Sequence, residues 1–221
     1  MFLSKVEINQ YNRNTMRALS SPQTMHAAVM ASFPPSKNAV SRRPLWRIDK
    51  IGSAIYILVQ SEIKPDFTHI VEQFGWPVSE QKWETLDMER FLASIKEGQT
   101  WRFRLRANPV HSVKSSGDES RGKVLAHVTV EQQKHWLLSR VQKYGFAVVS
   151  SGHPYNEACV EVKQTRQMRF KRQNDQVTIN VATFEGILMV EDKDKFIDSM
   201  TNGIGRAKAY GCGLLTIAGV K

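Results

Sequence analysis

The sequence predicts an α+β protein built from two tandem βαββαβ units. Residues 2–8 alternate apolar and polar side chains, as a half-buried strand does. Ser21 and Pro22 then begin a helix with an N-cap residue and an N1 proline. The second half of the chain repeats the same order of strands and helices, so the pattern predicts two similar halves.

In the first half, the helix that begins at Ser21 carries Met25, Val29 and Phe33 at helical spacing and ends at the proline pair 34–35. The elements predicted after the first strand are a helix over residues 21–33, strands over 45–49 and 54–60, a helix over 67–74 and a strand over 82–86.

In the second half, a strand over residues 100–107 places Trp101, Phe103 and Leu105 on one face and three arginines on the other. The elements predicted after it are a helix over 131–144 with Gly145 at C′, strands over 146–150, 159–163 and 178–190, a helix over 192–200 and a strand over 213–218. We place the boundary near residue 95, which gives an N-terminal domain of residues 1–95 and a C-terminal domain of residues 96–221.

The charge balance predicts an anionic partner. The chain has 221 residues with 31 Lys+Arg against 21 Asp+Glu, a net charge of +10. Such an excess most often serves nucleic acid and less often an anionic membrane surface. The two cysteines form no disulfide framework, and the sequence has neither a signal-peptide core nor an apolar run of membrane-span length. We therefore expect a cytoplasmic protein.

A glycine-rich segment near the end of the chain, residues 203–217, carries two cations among four glycines. The residues are Gly203, Gly205, Arg206, Lys208, Gly211 and Gly213. A phosphate loop and a dinucleotide-binding loop both lead from a strand to a helix, whereas this segment leads from a helix to a strand. The two cations therefore predict an anionic ligand, and a glycine C-cap followed by a tight turn is the alternative.

Two further basic clusters are candidates for phosphate binding. The first has no acid within it and consists of Lys163, Arg166, Arg169, Lys171 and Arg172; the second is Arg102, Arg104 and Arg106 on one strand face. A solvated edge strand is the alternative for the first cluster, and pairing with Glu161 and Glu185 is the alternative for the second. Lys and Arg contacts to phosphates dominate affinity for nucleic acid, which favours phosphate binding for the first cluster. The second cluster stays open between phosphate binding and pairing with the two acids.

Histidine is the residue type in this sequence that suits catalysis without a metal. No spacing of His, Cys, Asp or Glu is typical of a metal site, so we expect neither a metal nor another cofactor. His26 lies in the first turns of the first helix, in a polar and basic context. Metal-free RNA cleavage needs a base for the 2′-hydroxyl or an acid for the leaving oxygen, and histidine serves for either. A structural histidine is the alternative.

These motifs together resemble one family. The matching segments are residues 2–6 (FLSKV), 22–26 (PQTMH), 103–109 (FRLRANP), Trp136 with 144–146 (YGF), 184–188 (FEGIL) and 203–215 (GIGRAKAYGCGLL). In this order, they identify the chain as similar to the CRISPR RNA-processing endoribonucleases of type I-E systems, the CasE family, which are subunits of the Cascade surveillance complex.

The resemblance implies tandem ferredoxin-like (RRM-like) domains and cleavage of CRISPR precursor RNA at the base of the repeat stem-loop. It implies a metal-independent attack by a 2′-hydroxyl that leaves a 2′,3′-cyclic phosphate and a 5′-hydroxyl, with His26 as the catalytic histidine. It also implies a stem-gripping basic hairpin within residues 163–172, binding of both precursor and mature CRISPR RNA, and contacts with other Cascade subunits. It further implies that the glycine-rich segment packs against the RNA or against the cleft of the first domain, with Arg206 and Lys208 as its phosphate contacts.

The chain departs from the family pattern at two positions. Gln23 stands where the family often has a tyrosine, and His111 replaces the lysine of an Asn-Pro-x-Lys motif. Gln23 keeps hydrogen-bonding capacity but not the acidity of a phenol, and His111 becomes a minor rival to His26. Lys37 is a possible supporting cation, with Arg42 and Lys171 as alternatives.

Two other functions remain open from the sequence. The first is a non-catalytic RNA-hairpin-binding subunit of the same complex. The second is an unrelated RNA-binding protein with RRM-like domains, which the missing aromatic RNA-binding signature disfavours.

Overall fold

The computed structural model describes residues 1–34, 42–76, 78–80, 82–113, 123–150, 158–172 and 175–220. They form two compact units that interleave along the chain. The first consists of Met1–Ile95, Thr201–Gly203 and Ala207–Leu214, and the second of Lys96–Met200, Ile204–Arg206 and Leu215–Lys221. We call residues 207–214 the returning segment, because it comes late in the sequence and packs with the first unit. A division into two separate domains at residue 95 stays a prediction.

The first unit is a four-stranded antiparallel sheet with helices on it. Its strands are β1 (Phe2–Ile8), β2 (Leu45–Ile51), β3 (Ala54–Ser61) and β4 (Glu84–Asp87), and its helices are α1 (Arg13–Ser20), α2 (Pro22–Met30), α3 (Thr68–Phe74) and α4 (Glu89–Ser94). The strand order is β2-β3-β1-β4. Alternation along β1 sends Val6 and Ile8 into a core that Met25 and Val29 of α2 and Ile70 of α3 complete.

The second unit repeats this topology and adds a strand. Its elements are β5 (Thr100–Ala107), β6 (Val110–Val113), β7 (Lys123–Ala126), α5 (Val130–Leu138), β8 (Phe146–Val148), β9 (Val160–Arg172), β10 (Asp175–Val190), α6 (Lys193–Asn202) and β11 (Leu215–Gly219). The sheet order is β11-β5-β10-β8, and β9 pairs antiparallel with β10. The α+β class and the βαββαβ order predicted for each half are confirmed.

Three details of the prediction are wrong or incomplete. The helix expected over residues 131–144 ends at Leu138, and a separate 3-10 turn covers Val141–Tyr144. Helices α1 and α4 and the two-stranded sheet of β6 and β7 were not predicted. Helix α1 is only eight residues long and turns Thr15, Ala18 and Leu19 toward the core, and α4 buries none of its residues, so each gives a weak signal in the sequence.

Among the described residues, no helix has the length and apolarity needed to cross a bilayer.

Candidate active site and nucleic-acid interface

Helix α2 sets the position of His26. Ser21 caps the helix, with its hydroxyl oxygen accepting from the backbone N–H of Thr24 at 3.3 Å. Met25 and Val29 are buried in the core of the first unit. His26, next to Met25 on the helix, keeps part of its ring exposed. The helix therefore places the imidazole at the border between core and solvent.

The environment of His26 favours its neutral form. Burial and, secondly, the positive charge of Arg43 lower the pKa of His26 below the usual 6.5. Its Nδ1 atom is buried and has no hydrogen-bond partner among the residues that the structure describes. An orphaned buried nitrogen costs free energy and calls for a functional explanation. A neutral imidazole at neutral pH can accept a proton.

The supporting residues predicted around His26 fall in different places. Gln23 is exposed on α2, one turn before His26, so the two side chains share one side of the helix. Lys37 lies outside the described residues. The backbone N–H and the guanidinium of Arg42 both meet the Glu62 carboxylate. His111, the rival, lies on β6 in the second unit, with its ring centroid 4.6 Å from that of His127.

The glycine-rich segment contacts the protein's own side chains. Gly203, Gly205, Gly211 and Gly213 all have positive φ, and so does Ala207 at 64°. A Cβ added at Gly203 would lie 2.8 Å from the methyl carbons of Leu45, and one at Gly211 would lie 3.0 Å from the ring of Trp46. Positive φ and packing against β2 thus both favour glycine at these two positions.

The returning segment reaches the helix of His26. A 3-10 turn at Lys208–Tyr210 packs against α2 within the first unit. The Lys208 ammonium donates to the carbonyl oxygen of Asn202 at 2.6 Å. Arg206 is exposed and forms an isolated β-bridge with Asn108 in the second unit. Of the two predicted phosphate contacts, Lys208 therefore belongs to the same unit as His26.

The strand β5 presents its arginines as predicted. Arg102, Arg104 and Arg106 share one face, opposite the buried Phe103 and Leu105. The Glu185 carboxylate accepts from Nε and Nη2 of Arg104, both at 2.6 Å. Glu185 is therefore one of the two acids anticipated opposite this cluster.

The other anticipated acid has a different partner. Glu161 pairs with Lys163 on its own strand. This ion pair lowers the pKa of the exposed Glu161 carboxyl. Only one of the two acids thus meets the β5 cluster.

The first basic cluster is divided between the two faces of the sheet. Side chains alternate along β9, so Arg166 and Arg172 lie on one face and Arg169 and Lys171 on the other. Met168 shares the face of Arg166, and its sulfur accepts from Nη2 of Arg106 at 3.4 Å. We call the shared surface the arginine face; it consists of Arg102, Arg104, Arg106, Arg166 and Arg172. Lys163 stands at the register irregularity of β9 and has no strand partner in it.

Within the ranges that the structure describes, no group of three or more His, Cys, Asp or Glu side chains is arranged to hold a metal ion.

A protein-family model described as CRISPR associated protein matches residues 1–219. The chain belongs to this family. The CRISPR-associated endoribonuclease Cse3 of Thermus thermophilus is 27% identical over 227 residues, covering 99% of this chain and 100% of that protein. The Cascade subunit CasE of Escherichia coli is 29% identical, covering 99% of each chain.

Solved structures also match this member of the CRISPR associated protein family. Cse3 bound to a 19 nt RNA matches at 26% identity with a TM-score of 0.79, covering 99% of this chain and 100% of that one. Thermus thermophilus Cse3 with an RNA representing a pre-cleavage complex matches at 26% with a TM-score of 0.80, covering 99% and 98%. These likenesses confirm the tandem ferredoxin-like fold.

The sequence did not reveal Arg43 as a neighbour of His26. Arg43 lies 17 positions after His26 in the chain, and its positive charge lowers the pKa of His26. The only available signal was the basic pair at residues 42–43, directly before Pro44 and β2. Its relation to His26 depends on how β2 and α2 pack, which local patterns do not encode.

Proposed function

We propose that this protein is an endoribonuclease of the CasE/Cse3 type that cleaves CRISPR precursor RNA at the base of the repeat stem-loop. Its end-to-end likeness to Cse3 structures solved with RNA supports the enzyme class. The net charge of +10 supports an RNA partner. The observation that carries the catalytic part is the His26 ring, which is part-buried, has a lowered pKa, and has an Nδ1 without a hydrogen-bond partner among the described residues.

In the proposed reaction, neutral His26 takes the proton of the ribose 2′-hydroxyl at the scissile position. The 2′-oxygen forms a bond to phosphorus, and the bond from phosphorus to the 5′-oxygen breaks. The leaving 5′-oxygen takes up a proton from water, and protonated His26 returns its proton to solvent, so the products are a 2′,3′-cyclic phosphate and a 5′-hydroxyl. Among the described residues, Arg43 is a cation whose charge lowers the pKa of His26. Arg43 would stabilise the extra negative charge on the phosphorus centre. The mechanism uses neither a metal nor a cofactor.

The two faces of β9 narrow the set of basic residues that one RNA stem can contact. A single RNA stem lies along one face of a strand, so we expect either Arg169 with Lys171 or Arg166 with Arg172 to carry most of the phosphate contacts. The remaining proposed contacts are Lys163, Arg102, Arg104, Arg106, Gly203, Gly205, Arg206, Lys208, Gly211 and Gly213.

Cleavage in EDTA tests the catalytic proposal. The wild type is incubated with a labelled repeat hairpin from the CRISPR array of the source organism, beside His26→Ala and His135→Ala. His135 is an exposed histidine on α5 and serves as the matched control. We expect cleavage by the wild type and the control, and a loss of about 10²–10⁴-fold in the rate for His26→Ala. Equal rates in all three proteins would refute the role of His26.

The alternative is an RNA-hairpin-binding subunit that does not cut, which the replacement of the family tyrosine by Gln23 favours. Gln23 is exposed on the His26 side of α2, so a phenol there would reach the same solvent region. Tight binding of the repeat RNA without cleavage by the wild type, and cleavage by Gln23→Tyr, would establish this alternative.

We further propose that the protein assembles with other Cascade subunits in the cytoplasm and binds both precursor and mature CRISPR RNA. Co-purification of the tagged chain with those subunits and with RNA, from the soluble fraction of its source, tests this. Recovery of the chain alone would contradict it.

A further inference from the structure

We infer that Arg47 is a positioning residue: from β2 it fixes the returning segment against the unit that carries His26. We call the contacts of Arg47 with Asp49 and Leu214 the clamp. The clamp rests on geometry alone, whereas an effect of the clamp on RNA cleavage rests on the proposed function.

The clamp is a buried guanidinium with partners on two sides. Arg47 is 1% exposed and Asp49 is 7% exposed. Nε of Arg47 donates to Oδ1 of Asp49 and Nη2 donates to Oδ2, both at 2.7 Å. Nη1 donates to the backbone carbonyl of Leu214 at 3.0 Å. The planar fork of arginine makes all three bonds at once, with Asp49 fixing the orientation of the donor that holds Leu214.

The two residues before Arg47 hold the chain at other points. The Leu45 side chain packs against Gly203, in the space that a Cβ there would need. The Trp46 ring packs against Gly211 in the same way. Three consecutive residues of β2 therefore contact the C-terminal chain at positions 203, 211 and 214. Because Lys208–Tyr210 packs against α2, this fixation decides where the segment meets the helix of His26.

Stability alone is a poor reason for such a pair. A buried ion pair often contributes no more than well-packed apolar side chains of similar volume would, because both charges lose their hydration. What an apolar pair lacks is a donor for the Leu214 carbonyl. Arg47 bonds this carbonyl across 167 positions of sequence. A specific location for the returning segment is therefore the function that the pair performs.

Three variants separate positioning from folding. Arg47→Met combined with Asp49→Leu removes both charges but keeps a similar side-chain volume, so we expect the unit to stay folded. Arg47→Lys keeps the charge but lacks the fork. Val6→Ala weakens the core of the same unit at a buried position on β1, and serves as the control for lost stability. All are compared at equal distance below their melting temperatures.

Amide hydrogen exchange measures the clamp without RNA. In the double variant, we expect exchange in residues 207–214 to rise about tenfold or more, because local opening no longer breaks the bond to Arg47. Arg47→Lys should give a smaller rise, and Val6→Ala no rise confined to this segment. Unchanged exchange of the segment in both Arg47 variants would overturn the inference.

Single-turnover cleavage at saturating protein measures the consequence. For the double variant, we expect the rate to fall about 10- to 100-fold. The affinity for a repeat hairpin with a 2′-deoxy scissile nucleotide should change far less, and Arg47→Lys should recover part of the rate. A wild-type rate in the double variant, or an equal loss in Val6→Ala, would refute positioning. A wild type that does not cut at all would refute the proposed function instead, and the exchange result would then decide the clamp by itself.

Discussion

Replacing Gly211 by alanine tests whether the glycine-rich segment is shaped by the protein's own packing. Gly211 has a φ of +75°, and a Cβ there would lie 3.0 Å from the ring of Trp46. Trp46 is 2% exposed, so the ring has little room to move. Gly52, in the turn between β2 and β3, is the matched control in the same unit. Its φ is +61°, and an added Cβ would meet nothing within 4 Å.

The two substitutions share a backbone cost and differ in packing. Left-handed backbone costs an alanine about 1–2 kcal/mol. Lower entropy of the unfolded chain offsets about 0.4–1 kcal/mol of that cost. Gly52→Ala should therefore lower the free energy of unfolding by about 1 kcal/mol. Gly211→Ala adds an overpacking cost of about 1–3 kcal/mol, for a total of about 2–4 kcal/mol.

Urea unfolding followed by tryptophan fluorescence measures both values, with wild type alongside. The slope of the transition should be the same in all three proteins, so that the midpoints report stability. If Gly211→Ala costs no more than Gly52→Ala, the contact with Trp46 does not constrain the segment, and a role in ligand binding becomes the better account of this glycine.

Three further outcomes are expected. Because the pKa of His26 is lowered, a role as base places the rising limb of the pH–rate profile below pH 6.5. Arg43→Gln removes a positive charge near His26, so the rising limb should move to higher pH. An unmoved profile would contradict the coupling between Arg43 and His26. In a salt titration of RNA binding, Arg169→Ala with Lys171→Ala should reduce the slope of log K against log salt by about 2, provided that their face of β9 holds the stem. The opposite-face pair Arg166 and Arg172 is the control, and an unchanged slope for both pairs would remove β9 from the interface. Ala207→Gly should stabilise the protein by about 0.5–1 kcal/mol in urea unfolding, since φ at this alanine is 64°, and a destabilised variant would show that its methyl group packs.

The elements that the sequence predicted well are those with a strong local signal. The alternation in β1 and in the arginine strand β5 places both strands at the observed bounds, and Ser21 with Pro22 marks the start of α2. The helix predicted over residues 131–144 failed because apolar residues at helical spacing continue through a break at Ser139 and Arg140. The spacing of apolar side chains cannot distinguish an α-helix from a helix followed by a 3-10 turn.

The candidate site was only partly accessible from sequence. The family resemblance points to His26, but the influence of Arg43 and the clamp of Arg47 arise from tertiary pairing. The division of the first basic cluster between two faces also requires the observed strand β9, which is longer than the strand predicted over residues 159–163. Five cations close together in sequence are not one surface once alternate residues point in opposite directions.

The returning segment has a consequence for synthesis on the ribosome. The contacts of Leu45, Trp46 and Arg47 with the C-terminal chain cannot form until residue 214 has left the exit tunnel. Joining Arg47 to Leu214 closes a loop of 167 positions, at an entropic cost of about 4–5 kcal/mol plus a constant. Until then Leu45 and Trp46 of the nascent first half lack these contacts, and the Arg47 guanidinium lacks its Leu214 acceptor. Late closure of this kind slows folding and prolongs exposure to aggregation, so the first half of this chain matures only after residue 214 is free to fold back onto it.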